Sequence, residues 1–236
     1  MFLACFDALM IVVLVVWLAL ISQRQPFNRL LGVDVSWPNC KVSSTQAAFG
    51  IVGVTGGLDF QDNNCLRSEA ALFSNPELYM NSGWPGTGFH LQFRNSPESC
   101  ARSDNLCLAF NYGYHAAEYA INYANRNLVH SPNWWIDVET DNSWTNNIVQ
   151  NQAAIAGMVA SIKQNVPFAK IGIYAYPGQW TELVSSWKPN LLAWLATGGS
   201  QFTGAQKACS SASFTAQPVK LAQFTNVLDQ DLACQD

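Results

Sequence analysis

Asn133-Trp134-Trp135-Ile136-Asp137-Val138-Glu139 is an apolar run closed by two carboxylic acids two positions apart. In extended backbone, residues i and i+2 point to the same face, so Asp137 and Glu139 share one side while Ile136 and Val138 take the other. Two acids at this spacing, taken alone, are more often a solvated strand edge; here the tryptophans and aliphatics around them argue for burial. Buried acids cost free energy unless something compensates, and sites that cleave glycosidic bonds routinely keep such pairs. The run therefore predicts a buried strand carrying glycosidase-type chemistry.

The same parity recurs along the chain. Val33 and Val35 oppose Gly32, Asp34 and Ser36; Leu78 and Met80 oppose Tyr79 and Asn81; Ile171 and Ile173 oppose Gly172 and Tyr174. The pattern predicts strands over 31–36, 50–54, 77–81, 134–139, 170–174, 191–195 and 219–224, with aliphatic faces toward helices and polar faces toward a barrel axis. Ile148, Ile155, Met158, Val159, Ile162 and Val166 recur at helical spacing before Pro167, and 112–129 is an Ala/Tyr-rich helix. Helices over 63–74 and 177–187 are less strongly patterned. Little helix is expected between the last strands, so a regular eightfold barrel is not the natural architecture. Residues 82–111 lack periodicity and form a connection long enough to be functional, expected over the acid-bearing face with Trp84, Phe89 and His90 along a cleft.

A chain of 236 residues with 49% apolar content can bury one full core. Its slight negative charge and lack of a basic patch argue against nucleic acid as a partner. Residues 1–28 read as a hydrophobic leader, signal peptide or signal anchor, with a short linker, and 29–236 as the barrel domain. Outside the leader stand Cys40, Cys65, Cys100, Cys107, Cys209 and Cys234, an even number without C-x-x-C spacing. That usage suits disulfides in an oxidising, extracytoplasmic compartment, and pairing of neighbours is expected: Cys40–Cys65, Cys100–Cys107 and Cys209–Cys234. His90, His115 and His130 are too scattered for a metal site, and no phosphate-binding loop or serine elbow is present, so no metal or cofactor is expected.

Five short motifs in order resemble the glycoside hydrolase family 25 lysozymes: Gly32-Val33-Asp34-Val35-Ser36, Trp135-Ile136-Asp137-Val138-Glu139, Ile171-Gly172-Ile173-Tyr174, Leu221-Ala222-Gln223-Phe224-Thr225 and Asp229-Gln230-Asp231. The resemblance implies an irregular TIM-like (β/α) barrel with five β/α units and three additional strands. It implies a peptidoglycan hydrolase cleaving the β-1,4 bond between N-acetylmuramic acid and N-acetylglucosamine; leader and cysteines add the expectation of a secreted or cell-envelope-associated monomer that touches a membrane only through an uncleaved leader. By position, Glu139 would be the general acid, Asp137 an ionised stabiliser of the substrate's own 2-acetamido group, and Asp34 and Asp229 members of an acidic ring, with Tyr174 hydrogen-bonding or stacking. Tyr79 and Asn81 occupy the third strand, where the family carries a Tyr-His pair; the His is missing here. Asp231 replaces the family's usual Asn. Trp84 and Trp144 are the expected sugar platforms. The departures leave an alternative in view, a catalytically inactive wall-binding module on the same barrel.

Overall fold

The computed structural model describes residues 30–86, 88 and 91–234. The leader expected over 1–28, and with it Phe89 and His90, lies outside the described residues. Eight strands close a barrel in sequential order: β1 (Leu31–Val35), β2 (Phe49–Gly53), β3 (Glu77–Asn81), β4 (Asn133–Asp137), β5 (Lys170–Ala175), β6 (Leu191–Ala196), β7 (Ala216–Thr225) and β8 (Asp229–Ala233). Strands β1 to β7 pair in parallel, and β8 runs antiparallel between β7 and β1. Five helices follow β2 to β6: α1 (Leu66–Ala70), α2 (Asn105–Arg126), α3 (Ile148–Asn165), α4 (Pro177–Val184) and α5 (Phe202–Cys209). The expected count of five β/α units and three additional strands is the observed one.

Strand parity sorts the core into two layers. Val33, Val35, Val52, Leu78, Met80, Ile136, Val138, Ile171 and Ile173 pack outward against α2, α3 and α4. Ile51, Trp135, Trp194 and Leu221 fill the barrel with Phe49, Tyr79 and Tyr174 packed against them. Large rings fit inside because small residues face them: a Cβ on Gly172 would lie 2.1 Å from the Trp135 ring, and one on Gly53 2.8 Å from the Tyr79 ring. Trp135 in turn donates to Glu77 at 2.6 Å, closing the end of the barrel away from the acid pair.

Three segments differ from the expectation. Helix α2 starts at Asn105, about two turns before Tyr112, because Asp104 caps it by accepting from the Cys107 amide at 3.1 Å. Helix α5 lies where little helix was expected; it is short, and Gly204 and Thr203 weaken its propensity signal. Strand β8 was legible only as an acidic motif, since Asp229-Gln230-Asp231 lacks the β-branched composition of a strand. Disulfides join Cys40 to Cys65, Cys100 to Cys107 and Cys209 to Cys234.

Candidate active site

The carboxylates converge where parallel strands end, the face on which barrel side chains are free to meet a ligand. Asp34 stands on β1, Asp137 closes β4, Glu139 follows two residues later, and Asp229 opens β8. Together with Ser36, Pro38, Asn39, Tyr79, Tyr174, Trp194 and Gln223 they line a cleft of ≈ 280 Å³. The ladder explains the spacing of the acid pair. Asp137 pairs with Tyr174, and the Val138 amide still donates to the Tyr174 carbonyl at 2.9 Å, so Glu139 leaves the sheet with its side chain on the same side as Asp137. The Trp144 indole N–H holds the Glu139 carbonyl at 2.9 Å.

A hydrogen-bond chain runs around the wall. The Tyr174 hydroxyl donates to Gln223 Oε1 at 2.7 Å and Gln223 Nε2 donates to Asp34 Oδ2 at 2.9 Å. The Trp194 indole N–H donates to Asp231 Oδ1 at 2.7 Å beneath the cleft. Asn81 Nδ2 donates to Asp137 Oδ2 at 2.5 Å, and Thr55 fixes the Asn81 amide at 2.8 Å. Asp137 is only 4% exposed, and its other oxygen, Oδ1, has no hydrogen-bond partner.

Burial shapes the acidities. It pushes Asp34 up to about 7, reinforced by the Asp229 charge. Glu139 is raised by burial first, then by the Asp141 and Asp229 charges. Asp137 is driven well above the usual carboxylate range, by burial first, then by the charges of Glu139 and Asp34. Asp137 borders the cleft yet is almost wholly buried, and the Asn81 amide is the one described N–H that offsets its carboxyl's loss of water.

Other expected site residues take different places. Trp84 is 0% exposed, donates to Gln150 at 2.9 Å and lies edge-on to Tyr112, so it cannot present a face to a sugar. Trp144 is half-buried against the core and outside the acid cleft; its part is to fasten the Glu139 backbone. Asn81 stands behind Asp137 rather than in the cleft. No described residue of the long connection lines the acid cleft; it folds back on α2, where Asn111 Nδ2 holds the Phe93 and Glu98 carbonyls at 2.7 and 2.8 Å. Tyr79, Tyr174 and Asp229 do line the cleft. Gln223 and Trp194 were not singled out as site residues, although alternation along their strands puts both on the inner face with Leu221 and Leu192. Among the described residues, the one cluster with metal-ligand spacing is Cys40, Cys65 and Glu69, and its sulfurs are tied up in a disulfide.

A family profile described as lysozyme-like protein 1 matches residues 105–216, a little under half of the chain and inclusive of Asp137, Glu139 and Tyr174. No curated protein matches the sequence. Among solved structures, the barrel is similar to the catalytic domain of the endolysin ply40 from a Listeria monocytogenes bacteriophage, at TM-score 0.51 and 14% identity, covering 86% of this chain and 92% of that one. It is similar to a family 25 glycosyl hydrolase from Bacillus anthracis at TM-score 0.52 and 11% identity, covering 88% and 89%. The CTP1L endolysin aligns at TM-score 0.52 and 10% identity over 86% of this chain and 66% of that one. Over residues 105–216 the chain is similar to the lysozyme-like profile. Its closed barrel shares the fold of the family 25 glycosyl hydrolase and of the two endolysins.

Proposed function

We propose that the protein hydrolyses peptidoglycan at the β-1,4 bond between N-acetylmuramic acid and N-acetylglucosamine, with retention through the substrate's own acetamido group. The observation that carries this reading is the pairing at the cleft of a partly buried acid, Glu139, with an almost wholly buried one, Asp137, whose Oδ1 has no described partner. An acetamido N–H is the donor such an oxygen lacks. Once it binds, the charged form of Asp137 is favoured, and that charge beside Glu139 favours the proton Glu139 carries. Glu139 then protonates the departing glycosidic oxygen while the acetamido oxygen attacks the anomeric carbon and Asp137 supports the developing positive charge on nitrogen. In the second step Glu139, now a carboxylate, takes a proton from water as that water opens the cyclic intermediate, restoring the sugar with its original configuration. Backbone positions two apart on a strand lie about 6.6 Å apart, which allows both acids to work on one ring.

Glu139→Gln keeps shape and hydrogen bonding but has no proton to give, and it should lower turnover by roughly 10²–10⁴-fold. Turbidity clearing of cell-wall suspensions, with mass spectrometry of released muropeptides, measures this. Undiminished clearing by the variant removes the mechanism. A second reading, a silent glycan-binding module, is favoured by the third strand, where Tyr79 stands in the cleft without a neighbouring His. Retention of the parent protein on insoluble peptidoglycan with no new reducing ends would select it.

A further inference from the structure

At ≈ 280 Å³ the acid cleft is no larger than a small ligand pocket of about 300 Å³. A polysaccharide held there must leave over the rim on both sides, so the rim decides how the strand is gripped. Trp37 is 52% exposed and Tyr176 46%; among the described residues they are the one exposed tryptophan and the one exposed tyrosine. Both stand at the mouth. Trp37 opens a tight helical turn (Trp37–Asn39) directly after β1, and Pro38 and Asn39 of that turn line the cleft. Tyr176 follows β5 in extended backbone, two residues beyond Tyr174, so it takes the same inner side as that cleft residue, one step nearer the mouth. In the closed order of eight strands β1 and β5 lie four apart either way round, which puts the two residues on opposite sides of the cleft.

Each ring is seated against backbone. A Cβ on Gly57, in the connection after β2, would lie 2.9 Å from Trp37 Nε1, so the indole lies where that position carries no side chain. The turn beneath it is fixed by the Ser36 amide, which donates to Asn39 Oδ1 at 3.1 Å, and by the Cys40–Cys65 bridge at its end. Tyr176 sits between Gly178 and Gly198: a Cβ on the first would come 3.0 Å from Cε1 of the ring and one on the second 3.3 Å from Cε2. Rings fixed in this way lose little freedom when a ligand binds. A half-exposed aromatic face offers apolar surface to the C–H face of a pyranose, while the indole N–H or phenol O–H reaches its hydroxyls. We infer that Trp37 and Tyr176 are sugar platforms on either side of the acid cleft, each stacking on a sugar of the glycan strand outside the pair being cut. They fill the role expected of Trp84 and Trp144, and they make the preferred ligand a strand longer than the cleaved pair by at least one sugar at each end. The inference rests on the hydrolase reading for the identity of the ligand; the seating of the rings does not depend on it.

Peptidoglycan glycan strands stripped of their peptides and sorted by length are the probe, titrated calorimetrically into the full chain carrying Glu139→Gln so that the strand stays whole. Affinity should rise from the disaccharide to longer strands. Adding Trp37→Ala or Tyr176→Ala should weaken binding of long strands by roughly 3- to 10-fold and leave the disaccharide unchanged, whereas Trp37→Phe and Tyr176→Phe should keep most of the gain. With Glu139 restored, the Ala variants should raise KM on long strands and leave kcat within about twofold. Equal affinity for short and long strands, Ala variants that bind long strands as the parent does, or Phe variants as weak as the Ala ones would each overturn the inference. Length-dependent binding that the Ala variants lose, in a parent protein that releases no muropeptides, would keep the platforms and remove the hydrolase reading. Release of muropeptides by a parent indifferent to strand length would do the reverse.

Discussion

Asn81 illustrates how one amide governs the acid in front of it. Its Nδ2 is, among the described residues, the one donor to the Asp137 carboxyl, its own carbonyl is pinned by Thr55, and it has no part in lining the cleft. Substituting it with Leu leaves a buried carboxyl with neither oxygen bonded, a cost of about 1–3 kcal/mol for a lost buried hydrogen bond. In the proposed reaction that cost falls on the charged form of Asp137, which the transition state needs more than the resting state. Asn81→Leu should therefore lower kcat by roughly 10- to 100-fold while KM changes little. Steady-state kinetics on soluble peptidoglycan fragments checks this, and a rise in KM at constant kcat would instead make Asn81 a substrate-binding residue. The third-strand motif offers no hint of this division of labour, because sequence parity puts Asn81 and Tyr79 on one face without saying which of them is deeper.

At the scale of elements, α2 and α3 approach each other backbone to backbone. A Cβ on Gly113 would lie 1.8 Å from the Ala154 carbonyl oxygen, and one on Gly157 1.9 Å from that of Phe110. Helix propensity alone favours Ala over Gly by about 1 kcal/mol, so an isolated helix would gain from the change. Here the helices must separate to admit the methyl group, and overpacking of this kind costs about 1–3 kcal/mol or more. Gly113→Ala and Gly157→Ala should each lower the denaturant midpoint, and a rise would contradict the close crossing. Since α2 follows β3 and α3 follows β4, the strand that Asp137 closes, their crossing also bears on how β4 sits against β3. The start of α2 is anchored in the same way, by the Asp104 cap and the Cys100–Cys107 bridge, which together convert seven residues of apparent loop into helix.

For the whole molecule, Asp34, Asp59, Glu69, Glu77, Asp137, Glu139 and Asp231 all shift in one direction. Burial raises each of them above its ordinary value, and it is the leading cause in every case. A raised carboxyl binds its proton in the folded chain after the unfolded chain has lost it, so unfolding free energy falls as pH rises between the two values. For Asp34 that window runs from 3.8 to about 7. Thermal unfolding followed by circular dichroism should accordingly give a higher Tm near pH 4.5 than near pH 8. The free-energy difference should be on the order of a few kcal/mol, and Asp34→Asn should flatten the slope. A Tm that rises steadily from acid to neutral pH would show these acids to be charged and paired in the folded state.

How much of this was legible beforehand follows from what each property depends on. Alternation in Val33-Asp34-Val35, Leu78-Tyr79-Met80, Trp135-Ile136-Asp137 and Ile171-Gly172-Ile173 is a local, period-two signal, and it determined the strands, their faces and the presence of acids at the barrel mouth. Cysteine order likewise matched the bridges, since neighbours in sequence close short connections. The exchange of Trp84 and Trp144 for Trp194 and Gln223, the depth of Asn81 and the bond from Trp194 to Asp231 were decided only by closure of the barrel. Composition says that a tryptophan or an aspartate is present, whereas burial and acidity arise from residues far apart in the chain that are adjacent only once β8 closes against β1.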